Sequence, residues 1–203
     1  MASAIKCKQC KEYYPKVNIL TTNFGKFCSN DCQVDFMTKK AIRNIEKIKE
    51  NKAKKERKEL RERKKKLMTR SQWFNKLQDL VNQYVKIRDI DEPCCTCGTR
   101  NPNIKYDAGH FIAVGRGGVD PRRFELTNIH KQCSVNCNVH GSGMRAEYRE
   151  FIKGRYGDEH LAWLEGEHNH ESLKDKFKDW QSIEREIARY RKLIRELGEK
   201  PVR

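Results

Sequence analysis

The chain has 203 residues, 35% of them charged and 36% hydrophobic, and its 44 Lys and Arg outnumber 28 Asp and Glu for a formal net charge of +16. So little apolar content argues against one large core and for small modules joined by helices. No apolar run approaches the roughly 20 residues of a membrane span, the opening MASAIKCKQCKEYYPK lacks a signal-peptide-like stretch, and the charge favours a polyanionic partner, nucleic acid before anionic lipid.

The expected setting is therefore the cytoplasm, with no membrane partner. Nine cysteines in a reducing compartment read as zinc ligands rather than disulfides. Residues 1–38 hold the first set: Cys7 and Cys10 two residues apart, then Cys28 and Cys32 three apart. Two close pairs can wrap one zinc tetrahedrally, and a segment this poor in apolar residues needs such a staple to fold.

Residues 39–70 carry 16 Lys and Arg against 5 Asp and Glu, with neither Pro nor Gly. That composition predicts an exposed helix of about 48 Å at 1.5 Å per residue. Its sparse apolar residues, Ile42, Ile45, Ile48, Leu60 and Leu67, form no seam. The helix reads either as a solvated spacer or as an arm that tracks phosphates, with Lys64, Lys65 and Lys66 as the DNA-binding candidates. Thr69 and Gln72 fit a capping box, and Trp73, Leu77, Leu80, Val81, Tyr84 and Val85 recur at helical spacing up to Pro93.

The second cysteine set is Cys94 and Cys97 with Cys133 and Cys137, leaving Cys95 as a free thiol. Two strand-like runs, Tyr106 to Val114 and Phe124 to His130, lie between the pairs, separated by Gly115, Arg116, Gly117 and Gly118. A structural finger needs only filler there, yet this stretch carries Asp107, His110, Asn128 and His130, followed by Asn138 and His140. That density of bases and possible ligands points to catalysis. Beyond Gly143 the chain is helical again: one face from Met144 to Tyr156 ends at Gly157, a short helix holds Leu161, Trp163 and Leu164, and an apolar stripe runs from Leu173 to Leu197.

The zinc knuckle, strand ending in His, Gly-rich loop and Cys pair followed by Asn resemble an HNH endonuclease, and more narrowly the segments IRD, PCCTCG, DAGHF, RRFELTNIHKQC, CN, GSG and YREFIKGRYG resemble the NinG (Rap) recombination endonucleases of lambda-like phages. The resemblance implies an α+β, mostly helical fold with four parts. These are a four-Cys zinc module (1–38), a basic helical arm (39–70), an HNH-like ββα-metal core stapled by a second zinc (71–157) and a C-terminal helical region (158–203). It implies structure-selective, metal-dependent cleavage of branched DNA such as Holliday junctions and D-loops, in the cytoplasm of the infected host.

In that pattern His110 stands at the general-base position, Asn128 at the central Asn that poses it, and Asn138 at the final ligand of a catalytic Mg²⁺ or Mn²⁺. The common form has an Asp directly before the His. Here that place is Gly109 and the nearest acid is Asp107, so the first ligand is Asp107, with His130 or His140 as alternatives. Arg116, Arg122 and Arg123 are candidate phosphate grips. One such centre cuts one strand, so a homodimer, joined through the C-terminal stripe or through Ile42, Ile45 and Ile48, is the expected working form, with other recombination proteins as further partners. The competing readings are a non-enzymatic zinc-finger protein and a sequence-specific HNH nuclease.

Overall fold

The computed structural model describes residues 4–114, 118–166 and 170–198. The chain forms two compact units, Met1–Leu67 and Met68–Arg203. Among the described residues, no helix is long and apolar enough to cross a membrane.

The first unit opens with two short antiparallel hairpins. Strands β1 (Ala4–Lys6) and β2 (Tyr13–Pro15) pair with Lys6 opposite Tyr13, and β3 (Leu20–Thr22) pairs with β4 (Gly25–Phe27). Cys7 and Phe27 are fully buried beside them. Helix α1 (Asn30–Leu67) follows, started by Ser29, whose Oγ accepts from the amide of Cys32 at 3.2 Å. The basic arm is thus the continuation of the helix that carries Cys32. Its 38 residues span about 57 Å, none is buried, and Ile42, Ile45 and Ile48 are 51–67% exposed.

In the second unit the capping box forms as expected, Gln72 and Thr69 each accepting from the other's amide. Helix α2 (Arg70–Arg88) buries Trp73, Phe74, Leu77, Val81 and Val85. Strands β5 (Tyr106–His110) and β6 (Ile129–Cys133) form one antiparallel hairpin. The expected strand from Phe124 to His130 is displaced: Pro121–Phe124 and Leu126–Asn128 are 3-10 turns, and pairing begins at Ile129. Asp120 and Glu125 explain the shift, since each carboxylate accepts from a backbone amide two residues on and so favours a turn over an extended chain.

A π-helical turn (Ser134–His140) leads to α3 (Arg145–Tyr156), α4 (Asp158–Glu165), α5 (Leu173–Lys176) and α6 (Trp180–Gly198). Gly157, with φ of +88°, makes the sharp join between α3 and α4 that other residues adopt only with strain. The C-terminal stripe is core: Leu173, Phe177, Ile183, Ile187 and Tyr190 pack with the apolar face of α2, with Phe124 and with Ile129. It is therefore not open to a second copy. A smaller cluster joins Cys95, Phe111 and Ile112 to Tyr148, Ile152, Leu161 and Leu164.

Candidate functional site

Both cysteine sets close as the spacing predicts. Around a zinc with about 2.3 Å bonds, tetrahedral sulfurs lie about 3.8 Å apart. Cys10 and Cys28 are 3.8 Å apart and Cys28 and Cys32 3.4 Å. In the second set Cys94 lies 3.9 Å from Cys137 and Cys97 3.5 Å from Cys133. In each set all four sulfurs lie within 4.8 Å of one another, so both sets could hold zinc. Amides point at the sulfurs as they would at thiolates: Cys28 N–H donates to Cys7, and Cys133 N–H to Cys94. Cys95 is buried, and its thiol is held protonated by the Cys94 thiolate beside it and by burial.

The second cysteine set brackets the β5–β6 hairpin. In its register Gly109 lies opposite His130 and His110 opposite Ile129. Successive strand residues face opposite sides, so His110 shares a side with Ala108, which packs on the α2 core, while Asp107 and Gly109 face the other way. His110 is half-buried, and its Nε2 lies 3.1 Å from the carbonyl of Arg123. A carbonyl only accepts, so Nε2 carries the proton and Nδ1 keeps a free lone pair. Burial lowers the His110 pKa, against the pull of the Arg123 carbonyl, which favours the cation. The result is a neutral imidazole in one tautomer.

Asn128 is fully buried and holds the loop that His110 leans on. Its Oδ1 accepts from the amide of Ile112 at 2.7 Å, and its Nδ2 donates to the carbonyls of Ile112 (3.0 Å) and Arg122 (3.2 Å). One side chain thus ties the end of β5 to the residue preceding the carbonyl that orients His110. Arg123 anchors the same loop to α2 by donating to Asn75 (2.9 Å) and Gln78 (3.1 Å) and lying over the ring of Phe74.

Several expected roles do not survive this geometry. Asp107 is on the far side of the strand from His110, and its carboxylate accepts from Ser134 and pairs with Lys86 at 3.5 Å. His130 is 1% exposed and has no lone pair to offer a metal. Its Nδ1 lies 3.1 Å from the Tyr148 hydroxyl, its Nε2 2.8 Å from that of Tyr156, and Tyr148 donates to the Gly109 carbonyl at 2.9 Å. With the Tyr148 proton so placed, Nδ1–H must donate to Tyr148, and Nε2 must accept from Tyr156. Burial, then the Arg88 cation, push the His130 pKa down to about 3.

Arg122 and Arg123 are not phosphate grips. Each is 7% exposed, and Arg122 is clamped by both carboxylate oxygens of Asp120 and bonds the carbonyl of Leu164. Both are required inside because the turns they staple leave carbonyls and a carboxylate to satisfy. Arg116 lies outside the described residues. Asn138 is half-buried and His140 exposed in the π-helical turn. Lys64 and Lys66 are exposed, whereas Lys65 pairs with Glu62 at 2.8 Å. Among the described residues, the groups of three or more His, Cys, Asp or Glu that could hold a metal are the two four-Cys sets.

Sequence reasoning missed the buried staple at the end of α2. Arg88 forms a two-pronged pair with Asp89 and donates to the carbonyls of Leu126 and Ile129, while Asp89 accepts from the amide of Lys131. The adjacent opposite charges at a helix end were the available signal. The face from Met144 to Tyr156 carries Tyr148 and Tyr156 at i and i+8, and their hydroxyls were the available signal for a buried histidine.

A family model described as "Bacteriophage Lambda NinG protein" matches residues 1–200. Among curated relatives, "Protein ninG" of Enterobacteria phage H19B is 38% identical over 177 residues, 81% of each chain. "Protein ninG" of Escherichia phage 933W and that of Escherichia phage lambda are each 40% identical over 107 residues, 53% of this chain and 51% and 50% of theirs. Those two matches thus span about half the length of the relatives. No solved structure matches.

Proposed function

The chain belongs to the NinG family, and from that premise we propose that it is an HNH-type, metal-dependent endodeoxyribonuclease that cleaves branched recombination intermediates in the host cytoplasm. The observation that carries the reading is His110, a neutral imidazole held through Nε2 by the Arg123 carbonyl, on a hairpin stapled by four cysteines. Its Nδ1 can take a proton from water as that water attacks phosphorus, the usual task of a general base near neutral pH. Asn128 acts by fixing the loop and touches no substrate.

The expected Mg²⁺ or Mn²⁺ finds only a partial donor set. Asp107 and His130 do not fit it, for the reasons of strand side and occupied lone pairs given above. Asn138 remains as a ligand, with the exposed His140 of the same turn as the alternative first ligand, and with phosphate oxygens and water free to complete the shell of an ion that takes few protein ligands. Such an ion would stabilise charge on the scissile phosphate. With the C-terminal stripe internal, the surface left for a homodimer is the row Ile42, Ile45 and Ile48; light scattering with junction bound checks it, a monomer that still cuts both strands overturning the dimer.

The decisive experiment incubates purified protein with a labelled four-way junction and a linear duplex of matched sequence, with and without Mg²⁺. Cation-dependent cutting of the junction alone is expected. Cutting of unbranched duplex at one motif would mean a sequence-specific nuclease, and tight binding with no cutting a non-enzymatic zinc-finger protein.

A further inference from the structure

The N-terminal zinc unit carries a basic surface with two concavities. Lys6, Lys8, Lys11 and Lys26 surround a concavity beside Cys7. A second concavity, between the hairpins and the root of α1, is lined by Lys8, Phe36, Lys39, Lys40 and Arg43 among others, so Lys8 belongs to both. Residues 4–44 hold 8 Lys and Arg against 3 Asp and Glu. The basic track is continuous with the charged helix.

Two aromatic rings stand at this track without joining the core. Tyr13 is 64% exposed, and Lys6, its cross-strand partner, holds Nζ 5.5 Å from the ring centre. Phe24 is 44% exposed at the tip of the β3–β4 turn, and its carbonyl accepts from Lys8 Nζ at 2.6 Å. Gly25, with φ of +135°, leaves open the space that the Lys8 side chain crosses; a Cβ there would lie 2.6 Å from that flexible chain, which would have to shift.

A flat exposed ring beside a lysine offers a base a stacking face and its phosphate a cation, the pairing that single-strand binders use. Duplex DNA can meet the lysines but not the rings, because its bases already stack on one another. We propose that the N-terminal zinc unit is a single-strand DNA grip, Tyr13 and Phe24 stacking on unpaired bases and Lys6, Lys8, Lys11 and Lys26 holding the strand's phosphates. The proposal deepens, and rests on, the reading of the chain as a protein of branched DNA, where unpaired nucleotides occur. A strip of charge that runs on along a helix suits a linear polyanion better than a flat anionic membrane.

The test is equilibrium binding of the full chain, without added Mg²⁺, to a labelled oligothymidylate strand, to a blunt duplex of equal length and to phosphatidylserine vesicles. The Tyr13→Ala, Phe24→Ala double variant should lose at least about 30-fold in affinity for the single strand, keep its duplex affinity, and retain the zinc content and melting temperature of the unchanged protein. Tyr13→Phe, which keeps the ring, should bind like the original. Replacing Lys8, Lys11 and Lys26 by Gln should flatten the salt dependence of single-strand binding. Unchanged single-strand affinity in the double variant, an equal loss on duplex, or a loss seen on vesicles instead of DNA overturns the proposal. The readout needs no cleavage: a protein that binds as expected and cuts nothing refutes the nuclease reading alone.

Discussion

Gln132 fills the space into which any side chain at Gly109 would grow. A Cβ built on Gly109 collides with the Gln132 amide and comes within 3.0 Å of its Cβ, and Gln132 is fully buried and donates to the carbonyl of Gly143 at 2.8 Å. This contact leaves no room for the acid that the proposed HNH pattern would place at this position. Introducing that acid, Gly109→Asp, should destabilise the second unit by about 1–3 kcal/mol through overpacking and add the cost of burying a carboxylate. Denaturant unfolding measures the first; a stable Gly109→Asp protein with faster cleavage would show that the site is merely missing its ligand.

On the proposed reading, in which the ring acts on water and not on the phosphate backbone, His110→Ala should lower the single-turnover cleavage rate by about 100-fold to 10,000-fold while junction affinity stays level. Because burial holds the His110 pKa below its ordinary value of 6.5, the acid limb of the wild-type pH-rate profile should fall below that value. A limb above it, or full activity in the Ala variant, moves the base elsewhere.

Arg123 and Arg122 should behave as positioning and structural residues. Arg122→Ala leaves Asp120 with an unpaired carboxylate and should cost about 3 kcal/mol, with the salt dependence of DNA binding unchanged. By contrast, replacing Lys64, Lys65 and Lys66 with Gln should reduce the slope of log affinity against log salt by about two, less than three because Lys65 is engaged by Glu62. An unaltered slope would make the helix a spacer.

His130 should make the fold acid-sensitive. Its folded pKa near 3 lies below the 6.5 of the unfolded chain. Protons therefore bind the unfolded state first, and stability present above pH 6.5 is lost as pH falls from there toward 3. The loss is on the order of a few kcal/mol. In His130→Phe the slope of unfolding free energy against pH between 7 and 5 should shrink; an identical slope assigns the effect to other groups.

Elemental analysis should find two zinc ions per chain. Cys97→Ser should remove one, with loss of structure around the hairpin, whereas Cys95→Ser should retain both because its sulfur is outside the four-membered set. Finding no zinc in folded protein would remove both assignments.

The two cysteine sets, the capping box of α2, the α3 face ending at Gly157 and the long basic helix were all legible in the chain itself, because each depends on residues close in sequence or on a spacing that one ion demands. His110 and Asn128 were singled out from a local pattern, and the structure places the first at the end of β5 and the second in the turn just before β6. What the sequence could not convey is which side of that hairpin each residue faces and what fills the space beside it. Strand pairing begins at Ile129 rather than five residues earlier, since Asp120 and Glu125 turn the chain before it. That shift puts Asn128 in a turn, where it binds the loop. Tertiary packing supplied Tyr148 and Tyr156 for His130, the Leu164 carbonyl for Arg122, and α2 for the C-terminal stripe. Each of these partners lies 18 to more than 100 positions away. A buried polar or apolar group takes whichever partner the fold brings to it, and for these residues that choice, rather than their chemical type, decided between ligand, staple and core.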